Sequence, residues 1–278
     1  MPSGTAAHGR RRATCRVAAL NASPLLWVGL AATAMMIAGW YWQKRIANAG
    51  VVDILWTAGV AAAAVVYAWI SPGAALPRTL VAIMGGLWGA RLAIYVARRV
   101  LGDEEEGRYR YLRAHWRGDQ RKFFVFFVAQ AALVLCFSLP FWIAAHNPVA
   151  SWTVWTTLAV LVWAVAIAGE SIADRQLSRF RGRPENRGKT CRSGLWRYSR
   201  HPNYFFEWLH WFAYVFLAVG MGRGWIAASL IGPALMLAFL YRLTGIPYNE
   251  AQALRSRGED YADYQRTTSA FIPLPPRH

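Results

Sequence analysis

The sequence predicts an all-α protein, a single domain that crosses a membrane about seven times. Two figures and one pattern carry that reading. Hydrophobic residues fill 56% of the 278 positions and charged residues only 16%, whereas a soluble domain holds roughly 25% charged residues. The pattern is segregation, with apolar stretches alternating with basic connectors. Lys and Arg (31) outnumber Asp and Glu (14), for a net charge of +17. Spread over a surface, such a charge would suit nucleic acid. Confined to connectors it suits the positive side of a membrane, so lipid is the expected partner and nucleic acid is not. Disorder is excluded, because it requires low hydrophobicity. Cys15, Cys136 and Cys191 have neither the spacing of a disulfide framework nor that of a metal site, and no metal is expected.

A crossing helix needs ~20 mostly apolar residues. The runs that meet this are residues 25–42, 51–70, 80–100, 123–145, 152–172, 205–221 and 225–241. The first is long enough to remain a membrane helix, and no cleavage pattern marks it as a removable leader. If each run crosses, Lys44 and Arg45, the stretch from Arg98 to Lys122, the stretch from Arg175 to Arg200 and the tail share one side. The positive-inside rule makes that side cytoplasmic and places the N-terminus outside. The N-terminal cluster Arg10, Arg11, Arg12 and Arg16 argues the other way.

Ionisable groups inside apolar runs cost at least ~2.5–3.5 kcal/mol each on insertion scales, so each is a functional candidate. Here they are Asp53, Arg91, Glu170, Asp174, Glu207, His210 and Arg242. Asp53 and Arg91 stand apart in sequence from the others, which suggests two compartments, one small and acidic and one built for a large anion. Glu170 and Asp174 are four apart and share a helix face. Arg175 or Arg179 would serve as their donors, or the amide and hydroxyls of a ligand; ordinary charges at a helix end are an equal alternative. His210 reads as a buried, satisfied histidine. Between residues 175 and 197 lie eight Lys and Arg. Arg forks match phosphate oxygens and Lys supplies a point charge, while Trp196, Tyr198 and Tyr204 offer flat faces to a ring. Contact with anionic lipid, worth ~1 kcal/mol per charge, explains the same spacing.

The motif Gly194-Leu-Trp-Arg-Tyr-Ser-Arg-His-Pro-Asn-Tyr204, followed by Glu207, resembles the cofactor-binding motif of membrane steroid and sterol reductases. The resemblance is to the steroid 5-alpha-reductase family, and within it to a bacterial branch without an assigned substrate. It runs from about Asp53 onward, and includes Trp88-Gly-Ala-Arg-Leu-Ala-Ile-Tyr95 and Asp260-Tyr-Ala-Asp-Tyr-Gln-Arg-Thr-Thr-Ser-Ala-Phe-Ile-Pro273. A looser Arg-His-Pro element is shared with isoprenylcysteine carboxyl methyltransferases.

The resemblance implies an integral enzyme, bacterial and of the inner membrane, that uses NADPH on the cytoplasmic side to reduce the C=C bond of a hydrophobic enone. Its substrate would be steroid- or isoprenoid-like and would arrive from the bilayer. Residues 1–150 would form the substrate cavity and 151–278 the cofactor site. Asn203 and Glu207 would meet the nicotinamide carboxamide and ribose. Asp174 matches a family acid, and Glu170 stands where steroid reductases often have Asn. Arg242 would face the pyrophosphate, with Tyr198 and Tyr204 beside the cofactor; the sterol reductases give the precedent for Arg200 and His201. Lys189 and Arg192 are added as phosphate partners on charge alone. On the catalytic side the family's Glu and Tyr fall at Asp53 and Trp88, with Arg91 and Tyr95 on adjacent turns. Asp53 is either a protonated donor to the substrate carbonyl or an ion pair with Arg91. The competing enzyme class is an S-adenosylmethionine-dependent methyltransferase, whose cofactor has no phosphates to occupy the Arg-rich connector. A membrane scaffold or transporter subunit is the non-enzymatic alternative, and no repeat supports it.

Overall fold

The computed structural model describes residues 22–102, 104–243 and 245–277. Cys15 and the N-terminal arginine cluster lie outside the described residues. All regular elements among those residues are helical: α1 (Ser23–Ile46), α2 (Val51–Ile70), α3 (Ala75–Gly102), α4 (Gly107–His115), α5 (Gln120–Ala145), α6 (Val154–Arg181), α7 (Pro202–His210), α8 (Phe212–Leu217), α9 (Arg223–Ser229), α10 (Ile231–Ala238), α11 (Ile246–Arg257) and α12 (Glu259–Thr267). Six helical stretches are long and apolar enough to cross a membrane: α1, α2, α3, α5, α6 and the run Arg223–Arg257. The protein is therefore an all-α polytopic membrane protein.

Each long helix follows from its apolar run. α2 fills the expected run end to end, because Gly50 precedes it and Ser71, in an extended conformation, stops it. α6 opens on a reciprocal cap between Thr153 and Thr156 and continues to Arg181, well past the expected run. That extension carries Glu170 and Asp174 onto one uninterrupted helix. α2 and α3 make the most extensive helix–helix contact among the described residues. Gly85 abuts Ala64 and Gly89 abuts Ala61 so tightly that a Cβ on either glycine would overlap the alanine methyl. Small residues four apart let backbones approach where lipid supplies no hydrophobic drive.

The expected crossing at 205–221 takes a different form. It is two short helices, α7 and α8, meeting at Trp211. Trp211 is fully buried, with its ring 5.5 Å from Phe141, 5.2 Å from Phe137 and 5.4 Å from Trp88. Gly232 of α10 leaves room for that indole, since a Cβ there would come within 3.0 Å of it. The far end is held by Asn147, whose amide donates to the carbonyls of Leu217 (2.7 Å) and Val219 (2.8 Å). The expected crossing at 225–241 likewise continues, through a π-helical turn at Phe239–Leu243, toward α11.

The helices alternate in direction, so the end of α1, the start of α2, the ends of α3 and α6, and α4 gather at one end. The segment after α11 packs there too. Arg200 amide donates to Ser269 O (2.8 Å), Leu274 amide to Tyr198 O (2.9 Å) and Ser199 hydroxyl to Phe271 O (2.8 Å). α4 is tied down by Glu105, which accepts two bonds from Arg113 (2.9 and 2.7 Å) and one from the Ala49 amide (2.7 Å). At the opposite end Trp69 is 82% and Trp152 58% exposed, the positions amphipathic rings take at a headgroup boundary.

Candidate functional site

A cavity of about 520 Å³ opens at the gathered end, within the range of ~300–1,000 Å³ usual for small-molecule sites. Both halves of the chain line it, from Asp53 on α2 to Tyr264 on α12, so the two compartments expected from sequence are one.

The inner wall joins α3, α6 and α7. Arg91 forms a salt bridge with Glu170 and reaches Asp174 at 3.8 Å. Asn203 amide donates to Asp174 Oδ1 at 3.2 Å, and the Trp88 indole N–H donates to Glu207 Oε2 at 3.2 Å. The i, i+4 spacings of Glu170 with Asp174 and of Asn203 with Glu207 put all four on facing helix stripes. Two carboxyl groups thus share one guanidinium, with the Glu207 carboxyl held beside them by Trp88. Glu170 Oε2 is buried and receives no N–H donor among the described residues, with the Glu207 carboxyl as its neighbour; a buried acceptor left unmatched costs ~1–3 kcal/mol. Trp88 is fully buried behind this wall, where its indole orients Glu207. His210 stacks on Trp88 at 4.6 Å. It is fully buried as expected, but neither ring nitrogen has a partner among the described residues, so it is not a satisfied histidine.

The front wall corrects the Asp53 expectation. Its partner is not Arg91. Asp53 pairs with Arg108 and accepts the Tyr109 hydroxyl at 2.7 Å. Both carboxyl oxygens are acceptors, the wrong polarity for a group that must donate to a substrate carbonyl. Burial, reinforced by the Asp53 carboxylate, holds the Tyr109 phenol well above its ordinary pKa, so it stays a donor. Burial, the largest single influence, acts to lower the Arg108 pKa, but Asp53 together with Tyr109, Glu106 and Tyr204 outweighs it and the net shift is upward. Tyr95, about half exposed, lines the same space.

The third wall comes from the connector and the tail. Arg200 Nε donates to Glu250 at 2.6 Å, His201 Nε2 lies 3.3 Å from the same oxygen, and Gln265 holds the other at 2.9 Å. Tyr204 stacks on His201 at 5.4 Å, and its hydroxyl accepts from Asn249 at 2.7 Å. At the rim stand Arg181 and Arg257, and Arg99, which is paired with Glu106 of the same wall at 3.0 Å.

Four expected cofactor contacts fall off the wall of this main cavity. Arg192 is held by Asp260 (3.1 Å) and Asp263 (2.7 Å) and is not on the cavity wall. Tyr198 is 41% exposed, with its carbonyl engaged by the tail. Arg242 is exposed on the π-helical turn, away from the wall. Lys189 lines a second, smaller cavity beside the first. Conversely, Arg108, Tyr109, Asn249 and Glu250 were missed, since each looks in sequence like a residue of a solvated connector.

Residues 39–268 match the family described as Protein of unknown function (DUF1295). The chain belongs to this family. No curated protein and no solved structure matches it. In this DUF1295 chain the match takes in every wall of the cavity, from Asp53 to Tyr264.

Proposed function

We propose that this DUF1295 protein is an NADPH-dependent membrane reductase that acts on the C=C bond of a hydrophobic, steroid- or isoprenoid-like enone. The observation that carries the reading is the polarity of the cavity: a buried amide-and-carboxyl set at its inner end and a guanidinium rim at its outer end. A ligand with hydrogen-bond donors at one end and phosphates at the other fits that order. The orphaned Glu170 oxygen supports a donor such as a carboxamide N–H. S-adenosylmethionine has no phosphates and carries a cationic sulfonium, which the Arg rim would repel. Resemblance to the steroid 5-alpha-reductases supports the same reading.

When bound, the reduced nicotinamide supplies hydride. Asn203 and Glu207 would hold its carboxamide and ribose, with Asp174 fixing the Asn203 amide, and Arg99, Arg181 and Arg257 would hold its phosphates. Arg91 and Trp88 are positioning residues, through Glu170 and Glu207. Arg108, braced by Asp53 and Tyr109, would meet the negative charge that develops on the substrate carbonyl oxygen, and the Tyr95 hydroxyl on that wall would donate a proton. Trp56, Leu92, Val96 and Leu240 give the cavity its apolar lining, which supports a substrate arriving from the bilayer. The Lys and Arg of the gathered end support a cytoplasmic cavity mouth in a bacterial inner membrane.

Equilibrium binding to detergent-purified protein, read by the fluorescence of the reduced nicotinamide, tests the proposal. NADPH should bind, and Asn203→Ala and Glu207→Ala should each weaken it about tenfold or more, as loss of a buried polar contact does. Binding of S-adenosylmethionine in place of NADPH would replace this reading with the methyltransferase.

A further inference from the structure

Beside the main cavity lies an annex of about 290 Å³ formed by the end of α6, the turn at 186–189 and the end of α11. Four cations line it, Arg181, Arg187, Lys189 and Arg257, and no acidic residue does. None of the four forms a salt bridge among the described residues; Arg257 lies over the Tyr261 ring at 5.0 Å and feels the Asp260 carboxylate only from beyond ion-pair distance. The contrast is local, since Arg192 and Arg200 nearby are both neutralised by acids. Like charges gathered without a counter-charge repel one another, and a bound anion offsets that cost.

The annex is held in shape from both sides. Asn186 amide donates to Phe180 O at 2.8 Å, and the Thr190 amide donates to Asp260 at 2.7 Å. Gly188 sits between Arg187 and Lys189 at φ +75°, a conformation that favours glycine, and so turns the chain around the cations. Arg181 and Arg257 also line the main cavity, so a ligand filling that cavity can place a branch in the annex.

We propose that the annex binds a terminal phosphomonoester carried by the ligand of the main cavity. Such a group has close to two negative charges and three acceptor oxygens, which suit several Arg forks and a Lys. A diphosphate linker, esterified at both ends, passes through a site and does not terminate in one. For the identity of the ligand this inference rests on the nicotinamide reading, under which the group is the 2′-phosphate that distinguishes NADPH from NADH. The annex chemistry itself does not depend on that reading.

The test compares NADPH, NADH, inorganic phosphate and phosphatidic acid in nanodiscs, on wild type and on the Arg187→Ser/Lys189→Ser pair, whose side chains are exposed and carry no packing. The pair should weaken NADPH binding about tenfold or more while changing NADH binding less than about twofold, and the NADPH effect should shrink in high salt. Equal binding of NADPH and NADH by wild type, or an equal loss of both in the variant, overturns the annex and leaves the reductase reading standing. If neither dinucleotide binds but inorganic phosphate or phosphatidic acid does, and only with Arg187 and Lys189 present, the reductase reading fails and the phosphomonoester site stands, with the responding probe naming its source. No binding of any of the four probes overturns both.

Discussion

Asp53 shows how one side chain is defined by its partners. It braces Arg108 and Tyr109 from the first turn of α2, and Arg108 is mostly shielded from solvent. Asp53→Asn keeps one acceptor oxygen but removes the nearer of that guanidinium's two counter-charges, leaving Glu106 at 3.4 Å. We expect a loss of ~1–3 kcal/mol in stability, read as a lower thermal midpoint in detergent, with NADPH affinity changed less than about twofold because Asp53 lies on the front wall. A variant as stable as wild type would show that Glu106 alone is counter-charge enough for Arg108. Glu170, with one oxygen orphaned, and His210, with two such nitrogens, are the opposite case. Both have buried polar atoms incomplete within the protein; Glu170 lies on the cavity wall, where a ligand can complete it, whereas His210 sits behind the wall against Trp88.

Among the elements, the α2–α3 pair sets the bundle spacing and so the position of Asp53 relative to Arg91. The Gly85 and Gly89 contacts leave no room for a side chain, whereas Gly86, on a different face of the same turn, has its nearest neighbour at an ordinary 3.5 Å. Gly89→Val should therefore cost ~1–3 kcal/mol or more, as overpacking does, and Gly86→Ala should be tolerated. Thermal melts of the two variants side by side would check this; equal midpoints would mean that the interface can yield. The α7–α8 break is another device of the same kind. Its apolar sequence runs on through Trp211 with no Pro or Gly to signal an end. The stop comes from the tertiary site that receives the indole.

For the molecule as a whole, the cavity exists because distant segments are tied together, and one tie is open to pH. Burial raises the Glu105 pKa, but the Arg113 hydrogen bond and the Ala49 amide outweigh it, and the net shift is downward. A carboxyl held below its ordinary value contributes stability that is complete above that value, about 4.5, and is lost as pH falls through the lower folded value. Glu105→Gln should lower stability at neutral pH and flatten its decline in acid, seen by melting from pH 7 to pH 3; an unchanged acid slope would remove this tie from the account. The crossings were legible in sequence where an apolar run had its own punctuation, as in α2. So were the acids set four apart on α6 and the Asn203–Glu207 pair, because polar groups inside apolar runs stand out. Asp53–Arg108 and Arg200–Glu250 were not, being 55 and 50 positions apart. Each joins a residue that looked functional to one that looked merely solvated. Charge alone also misassigned Arg192, since nothing local revealed that α12 would neutralise it.

The clasp between the Arg200 region and residues 265–274 has a consequence for biogenesis. The tail's share of the third wall, residues 259–274, follows the last membrane stretch Arg223–Arg257 in sequence and is translated after it, so the chamber stays open on that side until the tail is made. It becomes able to retain a small molecule only when this last strap folds back, which makes ligand capture a late, post-insertion event in the life of the chain.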